Sequence, residues 1–176
     1  MTTIINLRGT NGSGKSTAAV GLLVPELRYQ TTLAGTLCET DGMTVLIGPY
    51  PPGKTGGCDR VHTFDLMRAA IRAALDPPAF PVVLFEGITI STTFGSWAEF
   101  CLSVPFVWEY MDTPLDLCLA RVRERNQGAE FKEEMVRSKF DSIRRTRAKA
   151  LAAGFTVWDI NHERASDELC AFTVLG

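Results

Sequence analysis

Apolar residues occur along the chain in two patterns, as continuous runs and as repeats of three or four positions. The alternation of these patterns predicts the order of strands and helices. Continuous apolar or β-branched runs, typical of strands buried on both faces, occur at residues 3–7, 82–87, 106–111 and 155–160. Apolar residues that recur every three or four positions predict helices at residues 63–75, 95–102, 114–125 and 132–153. Strands that alternate with helices indicate a three-layer α/β fold, in which helices cover both faces of a parallel sheet.

The segment between the first two of these strands has a different pattern. Two β-rich runs, residues 31–38 and 43–48, flank Asp41 and Gly42, which suggests either a hairpin or one sheet strand with an extra partner. With this segment included, we expect a five-stranded parallel sheet. Residues 49–59 are rich in Gly and Pro, and we expect them to form a shaped loop beside the substrate.

Turn and capping signals predict several element boundaries. The first helix is expected to end near residues 25–29, before the β-rich runs begin. Residues 88–94 are rich in Ser and Thr, and we interpret them as an active-site loop. Thr113 is expected to cap a helix in which Pro114 takes the first position, and Gly154 to end the long helix that follows.

The loop after the first strand carries a complete nucleotide-binding signature. Residues 9–16 are Gly-Thr-Asn-Gly-Ser-Gly-Lys-Ser, which fits the phosphate-loop (P-loop) pattern G-x-x-x-x-G-K-[ST] at every fixed position. Its glycines allow a tight turn whose N–H groups face phosphate oxygens, and the N-terminus of the next helix adds about half a unit of positive charge. We therefore expect a P-loop NTPase fold that binds a nucleoside triphosphate; a chance Gly-rich turn is the weaker alternative.

Individual residues of this signature suggest roles toward ATP and Mg²⁺. Lys15 is expected to reach the β- and γ-phosphates, and the Ser16 hydroxyl to coordinate Mg²⁺. Glu86 ends a buried strand, where a P-loop protein places a carboxylate that binds Mg²⁺ through water or accepts a proton, so Glu86 is predicted as a metal and catalytic residue. The residues predicted to bind the nucleotide are Asn11, Gly12, Ser13, Gly14, Lys15, Ser16 and Thr17.

Length and charge limit the possible organisation and partners. The 176 residues have the composition of one α/β domain, so residues 1–176 are interpreted as a single domain. The formal net charge is −2, but residues 121–149 contain ten of the eighteen Lys and Arg residues and five of the twenty acidic residues, which gives +5 there and −7 elsewhere. A partner with phosphates would bind at this basic segment.

The cysteines and the absence of long apolar runs favour a cytoplasmic protein. The five cysteines are scattered, odd in number and without a C-x-x-C pair, which fits reduced thiols better than disulfides or a zinc site. The first strand begins at the amino end, which leaves no room for a signal peptide, and no apolar run approaches the roughly 20 residues of a membrane span. The oligomeric state is not indicated.

The second half of the chain favours a kinase over other P-loop proteins. A GTPase would carry Asn-Lys-x-Asp on a late strand, whereas residues 161–164 are Asn-His-Glu-Arg. A motor ATPase usually has a longer chain and a helical lid domain. Here an Arg-rich helix, a break at residues 126–129 and another helix form the pattern of a small P-loop kinase lid, which we predict at about residues 121–135.

Two arginines of this lid are predicted to be catalytic. Arg121 and Arg125 are one helical turn apart and project on the same face, whereas Arg123 points elsewhere. When the lid closes, their guanidinium groups would stabilise the transferring phosphoryl group and water would be excluded. The alternative is that all three belong to a solvated helix face.

A kinase also needs a group that orients the attacking hydroxyl or accepts its proton. Glu86, Asp59 and Asp41 lie at predicted strand ends or in shaped loops. If Glu86 binds the metal, Asp59 is the stronger candidate for catalysis, because two preceding glycines let the backbone approach a ligand. The alternative for Asp59 is a structural cap for the next helix. His62 and His162 are isolated, and neither is assigned a role.

Several segments together resemble one family. They are residues 6–17, the turn at residues 48–50, Gly-Gly-Cys-Asp at residues 56–59, Leu-Phe-Glu-Gly at residues 84–87, and residues 113–122. This set resembles the small P-loop kinases of tailed bacteriophages, which are related to thymidylate and other nucleotide kinases. Some of these are 5-hydroxymethyluridine DNA kinases, so the resemblance implies ATP- and Mg²⁺-dependent phosphorylation of 5-hydroxymethyluracil in phage DNA, in the host cytoplasm.

Two alternatives remain open. The first is a kinase for a free deoxynucleoside or its monophosphate, which would require phosphate-binding cations near Arg68 and Arg72. No Asp-Arg-Tyr-type triplet follows the acidic strand end as it does in thymidylate kinases; Glu86 is followed by Gly and Ile. DNA would instead contact residues 121–149 and bind with strong salt dependence. The second alternative is a nucleotide-binding regulatory module that transfers nothing.

Overall fold

A seven-stranded mixed sheet runs through the computed structural model, which describes residues 2–51 and 56–175. Its strands are β1 (Thr3–Arg8), β2 (Tyr29–Leu33), β3 (Thr36–Thr40), β4 (Thr44–Leu46), β5 (Val82–Glu86), β6 (Val107–Asp112) and β7 (Val157–Asn161). They follow the order β2-β3-β4-β5-β1-β6-β7 across the sheet. Strands β4, β5, β1, β6 and β7 are parallel to one another, whereas β2–β3 and β3–β4 are antiparallel pairs.

The count of five strands is therefore wrong for the whole sheet, although five parallel strands are present. Two antiparallel strands extend the sheet beyond β4. The turn at Asp41 and Gly42 joins β3 to β4, and a second tight turn at Ala34 and Gly35 joins β2 to β3. Ala34 and Gly35 have φ angles of 46° and 80°, the left-handed conformation that a two-residue hairpin turn requires. Alanine rarely adopts it, so this pair carried no hairpin signal.

Helices lie on both faces of the sheet within the described ranges. They are α1 (Lys15–Val20), α2 (Phe64–Ala73), α3 (Ile88–Thr92), α4 (Gly95–Ser103), α5 (Leu115–Arg125), α6 (Glu133–Ala152) and α7 (Ala165–Leu175), with short 3₁₀ turns at Pro25–Leu27 and Gly57–Arg60. Because side chains alternate along a strand, the core forms two apolar clusters. One contains Trp97 and Trp108 with residues of α2, α4 and α6, and the other contains residues of α1 and α7.

Three helical segments differ from those expected. Helix α1 ends at Val20 instead of near residues 25–29, and it is followed by Gly21, where a Cβ would collide with Ser166 Oγ of α7. Helix α7 itself was not predicted. Residues 88–94, expected to be a loop, contain the short helix α3.

The prediction that Thr113 caps α5 is wrong. The Thr113 hydroxyl caps no helix; it donates a hydrogen bond of 2.8 Å to the carbonyl of Ser13 in the phosphate loop. Pro114 has an extended backbone (ψ 141°), so the helix begins one residue later, at Leu115. The start of α5 is therefore fixed to the phosphate loop.

The substrate loop, possible membrane spans, the cysteines and the domain count were also predicted from the sequence. Residues 52–55 of the expected substrate loop lie outside the described residues. No described helix is long and apolar enough to cross a membrane. Four cysteines, Cys38, Cys58, Cys101 and Cys118, are buried free thiols. The single domain over residues 1–176 stays a prediction.

Candidate active site

The phosphate loop connects β1 to α1 at the carboxyl edge of the sheet. Gly12 and Gly14 have φ angles of 80° and 95°, which L-residues with a side chain rarely adopt. Gly12 also packs so closely on α5 that a Cβ would collide with the carbonyl oxygen of Cys118. The loop thus needs glycine at both positions, as its sequence pattern indicated.

Lys15 is the first residue of α1 and its side chain is buried. Its ammonium group donates a hydrogen bond of 3.2 Å to the carbonyl of Thr10, which lies inside the same loop. Burial lowers the pKa of Lys15, and the nearby carboxylates of Glu86 and Asp59 oppose that change. The cation is therefore positioned within the loop and is partly balanced by two acids.

Ser16 lies in the first turn of α1 and faces Glu86, the last residue of β5. The Ser16 hydroxyl donates a hydrogen bond of 2.8 Å to Glu86 Oε1, and Glu86 is 1% exposed. Burial raises the pKa of Glu86, whereas Lys15 and the bond from Ser16 act in the opposite direction. Two oxygen donors at this spacing fit Mg²⁺, which is usually bound by one or two protein oxygens and completes its shell with phosphates and water. No cluster of three or more His, Cys, Asp or Glu residues that could hold a metal ion occurs within the described ranges.

Asp59 follows the left-handed Gly57 (φ 72°) and lies exposed at the mouth of the same cleft. Its carboxylate accepts hydrogen bonds from the backbone N–H of Ile88 (2.8 Å) and of Thr89 (3.2 Å), the first two residues of α3. Asp59 therefore stabilises the start of α3. It does not cap the next helix in sequence, α2, whose cap is Thr63.

Asp41 lies in a different environment. It accepts hydrogen bonds from the backbone N–H groups of Val24, Met43 and Thr44 at 2.8–3.0 Å. Burial alone would raise the pKa of Asp41, but these backbone donors outweigh it and lower the pKa. Asp41 is thus used in the β3–β4 turn and does not line the phosphate cleft.

Arg121 and Arg125 lie on a different side of α5 from Arg123, as their helical positions predicted. Arg121 Nη1 donates to the carbonyl of Gly12 at 3.4 Å, and both Arg121 and Arg125 line the phosphate cleft. Arg123 points away and forms an ion pair with Glu133 of α6.

The eleven residues that were predicted to bind the nucleotide or Mg²⁺ or to act in catalysis line this one cleft, whose volume is about 210 Å³, whereas the further candidate Asp41 does not. They are Asn11, Gly12, Ser13, Gly14, Lys15, Ser16, Thr17, Asp59, Glu86, Arg121 and Arg125. The loop N–H groups, the three cations Lys15, Arg121 and Arg125, the neighbouring oxygens of Ser16 and Glu86, and the exposed carboxylate of Asp59 form a constellation suited to phosphoryl transfer.

Comparison with known proteins decides the family. A family model described as 5-hmdU DNA kinase matches residues 1–157. The chain belongs to the 5-hmdU DNA kinase family. It is similar to the 5-hmdU DNA kinase of Pseudomonas phage M6, with 37% identity over 95% of both chains. It is also similar to 5-hmdU DNA kinase 1 of Salmonella phage ViI, with 34% identity over 78% of this chain and 66% of that protein. The 5-hmdU DNA kinase of Pseudomonas phage PaMx11 is 29% identical over 92% of both chains.

As a member of this family, the chain is a phosphotransferase, and a second cavity offers space for its nucleotide substrate. This cavity of about 420 Å³ adjoins the phosphate cleft and is lined by Gly14, Thr17, Arg121 and residues 162–167. His162 lies at its wall, with Nδ1 2.7 Å from the carbonyl oxygen of Asp112. Sequence analysis assigned no role to His162. The position of residues 162–167 directly after the edge strand β7 was the available signal, because ligands bind at the carboxyl ends of parallel strands.

Ser91 is a further residue that sequence analysis of this kinase missed. Its hydroxyl accepts a hydrogen bond from the N–H of Gly9 (3.2 Å) and donates one to the carbonyl of Gly87 (2.6 Å). Ser91 therefore connects the first residue of the phosphate loop to the residue after Glu86. The buried Arg8 reinforces this joint by donating to the carbonyl of Thr93 at 3.1 Å.

Arg68 and Arg72 of the kinase lie outside the phosphate cleft. Arg68 donates to the carbonyl of Ser96 (2.8 Å) and forms an ion pair with Asp65. The Arg72 guanidinium lies 5.0 Å from the ring of Phe100. Both cations are thus directed toward α4, in a separate cleft.

Proposed function

We propose that this kinase transfers the γ-phosphoryl group of ATP to the hydroxymethyl group of 5-hydroxymethyluracil in DNA. The observation that carries the transfer chemistry is the convergence of Lys15, Ser16, Glu86 and Asp59 in one cleft. The acceptor follows from the relatives, which are 5-hmdU DNA kinases by name.

The donor would lie across the phosphate loop. Its nucleoside would occupy the 420 Å³ cavity beside Arg121, and its β- and γ-phosphates would accept hydrogen bonds from the loop N–H groups and from Lys15. Lys15 already lies within the loop, so little reorganisation is needed when the phosphates bind. Arg121 and Arg125 would stabilise the negative charge that spreads over the transferring group.

Ser16 and Glu86 would bind Mg²⁺ between them, because their oxygens are 2.8 Å apart and lie beside the loop. When bound, Mg²⁺ neutralises charge on the β- and γ-phosphates. Glu86 would then be committed to the metal, which leaves Asp59 for the acceptor.

Asp59 would orient the acceptor hydroxyl and take its proton. The γ-phosphorus forms a bond to the hydroxymethyl oxygen while its bond to the bridging oxygen of ADP breaks, and the released proton passes to the Asp59 carboxylate and from there to water. Each carboxylate oxygen of Asp59 accepts one backbone N–H and retains a second lone pair for this hydroxyl.

The positions of Arg68 and Arg72 favour DNA over a free monophosphate as acceptor. A small monophosphate site needs cations around the acceptor phosphate, yet Arg68 is used by Ser96 and Asp65, and Arg72 lies against Phe100. In DNA the phosphates remain in the backbone outside the site, where the basic segment of residues 121–149 can neutralise them.

The test is a transfer assay with γ-labelled ATP and Mg²⁺. The acceptors are DNA with 5-hydroxymethyluracil, the same DNA with thymine, free nucleosides and nucleoside monophosphates. We expect label on the first DNA alone, its loss in Lys15→Ala, and normal labelling in the control variant Glu26→Ala, whose side chain is exposed in the Pro25–Leu27 turn. Label on a free nucleoside or monophosphate would refute the DNA acceptor. ATP binding without any labelled product, unaffected by Glu86→Gln and Asp59→Asn, would favour the regulatory module.

A further inference from the structure

A cavity of about 620 Å³ opens on the other side of Asp59 from the phosphate loop. Its volume lies within the range of about 300–1,000 Å³ that is usual for small-molecule sites. Asp59 lines both this cavity and the phosphate cleft. A ligand in the cavity can therefore place a hydroxyl group against the same carboxylate that faces the phosphoryl donor.

The walls of this cavity suit a flat heterocycle. Val61, Phe64 and Met67 supply apolar surface, and the ring of Phe64 is fixed by an edge-to-face contact with Trp97 at 5.6 Å between centroids. Thr89 adds an exposed hydroxyl group at the first turn of α3. Aromatic stacking combined with a few hydrogen-bonding groups is how proteins recognise a base that has left the helical stack.

The lining of the cavity includes charged side chains of both signs, with Asp59 as the acid. Among its lining residues the side chains that can carry positive charge are the exposed Arg60 and His62. Helix α3 separates this cavity from the basic helix α6, and it packs against both the Gly57–Arg60 turn and α6. A DNA backbone could therefore cross α3, with its phosphates near α6 while one base enters the cavity.

We propose that this cavity takes one pyrimidine nucleotide that has been extruded from DNA, with its hydroxymethyl group directed at Asp59. The proposal rests on the proposed function, because it assumes that DNA is the acceptor. A base that remains stacked in a duplex cannot enter a cavity, so extrusion must precede phosphoryl transfer. Transfer should then be faster wherever the target base leaves its partner more easily.

The first experiment compares duplexes that carry one 5-hydroxymethyluracil opposite adenine or opposite guanine, together with the single strand. Extrusion costs least for a base that is mismatched or already unpaired. We expect kcat/KM at least about tenfold higher for the mismatched duplex and for the single strand. Equal kcat/KM for the three acceptors would overturn the proposal.

The second experiment fills the cavity. Thr89→Trp adds an indole at an exposed lining position, and Phe64→Leu removes the stacking surface but keeps an apolar side chain. We expect both variants to raise KM for the DNA at least about tenfold while their affinity for ATP stays within twofold. Ser103→Trp adds the same indole in the neighbouring cleft beside Arg72 and should phosphorylate DNA as the unmodified enzyme does.

A fluorescent base reports the extrusion directly. With 2-aminopurine next to the target in the duplex, binding of the unmodified enzyme should raise the fluorescence, and Thr89→Trp should abolish the rise. Normal phosphorylation of the duplex without a change in fluorescence would refute the extruded base while leaving the DNA kinase function intact. Absence of label on any DNA with the unmodified enzyme would instead refute the proposed function, and this proposal with it.

Discussion

Glu109 allows a quantitative test of how burial controls ionisation in this fold. It lies on β6 with 0% exposure, and neither of its carboxylate oxygens has a hydrogen-bond partner among the residues that the structure describes. Burial, with a smaller contribution from the charge of Glu168, raises the pKa of Glu109 from 4.5 to about 8. The folded protein should therefore keep this side chain neutral at pH 7, whereas the unfolded chain ionises it.

The sign and the size of the effect follow from proton linkage. A carboxyl group whose pKa is higher in the folded state makes its full contribution to stability below pH 4.5 and loses it as the pH rises toward 8. One pH unit corresponds to about 1.4 kcal/mol, so the loss reaches about 3 kcal/mol at pH 7 and roughly 4 kcal/mol at pH 8. That is a large part of the 5–15 kcal/mol by which domains are usually stable.

The perturbation is Glu109→Gln, which keeps the shape of the neutral acid and does not titrate. Urea unfolding at pH 5, 6, 7 and 8 should show a variant that is more stable by about 1 kcal/mol at pH 5 and by about 3 kcal/mol at pH 7. The matched control is Glu99→Gln, at an exposed position on α4, which should follow the unmodified protein within about 0.5 kcal/mol. Parallel stability curves for Glu109→Gln and the unmodified protein would show that Glu109 is ionised in the folded state and refute the argument from burial.

Three further predictions address the site. Arg121→Ala should lower kcat about 10²-fold or more in the transfer assay, because its guanidinium lies in the phosphate cleft, whereas Arg123→Ala, paired with Glu133 outside it, should change kcat less than about twofold. Replacing the exposed Arg144 and Arg145 of α6 by Glu should weaken DNA binding. The slope of the logarithm of the DNA association constant against the logarithm of the salt concentration should fall by about one for each phosphate that the variant no longer neutralises. An unchanged slope would exclude α6 from the interface. Ser91→Ala should lower the free energy of unfolding by about 1–3 kcal/mol and weaken ATP binding, as measured by denaturation and titration, because the Gly9 N–H loses its acceptor; unchanged ATP affinity would show that the loop does not depend on this bond.

The phosphate-binding half of the site was predictable because its signals are local. The loop pattern fixes the positions of Lys15 and Ser16 without reference to the rest of the chain, and helical periodicity separates Arg121 and Arg125 from Arg123. Glu86 was accessible through a general rule, since an acid at the end of a buried parallel strand reaches the edge where the loop lies.

The remaining parts depend on contacts between segments that are distant in the sequence. Asp59 accepts from N–H groups about thirty positions away, and Thr113 reaches the carbonyl of Ser13 one hundred positions away, so neither partner has a local signal. The cavity of about 420 Å³ forms where residues 162–167 approach α1, and this approach depends on the order of the strands in the sheet.

Strand β2 was misjudged for a different reason. It is an edge strand with mostly exposed side chains, and its sequence Tyr-Gln-Thr-Thr-Leu lacks the apolar alternation of a half-buried strand. Its antiparallel partner β3 is largely buried, with Leu37 exposed, and the sequence pattern merged parts of β2 and β3 into the single run at residues 31–38.

The attachment of α5 to the phosphate loop limits where a lid can bend. Thr113 and the close approach of Gly12 to Cys118 fix the first half of the helix, and Arg121 lies next to this fixed part. The left-handed residues that could serve as a hinge, Gln127 and Gly128, come only after the helix has ended.

The two lid arginines would therefore act at different times. The Arg121 side chain would already be in position when ATP binds, so binding would require no further ordering of this side chain. Arg125, which is exposed one turn further along, would be the mobile partner, whose arrival depends on the segment beyond it. In such an enzyme the first arginine would contact the phosphates from the moment the donor binds, and the arrival of the second would set when transfer begins.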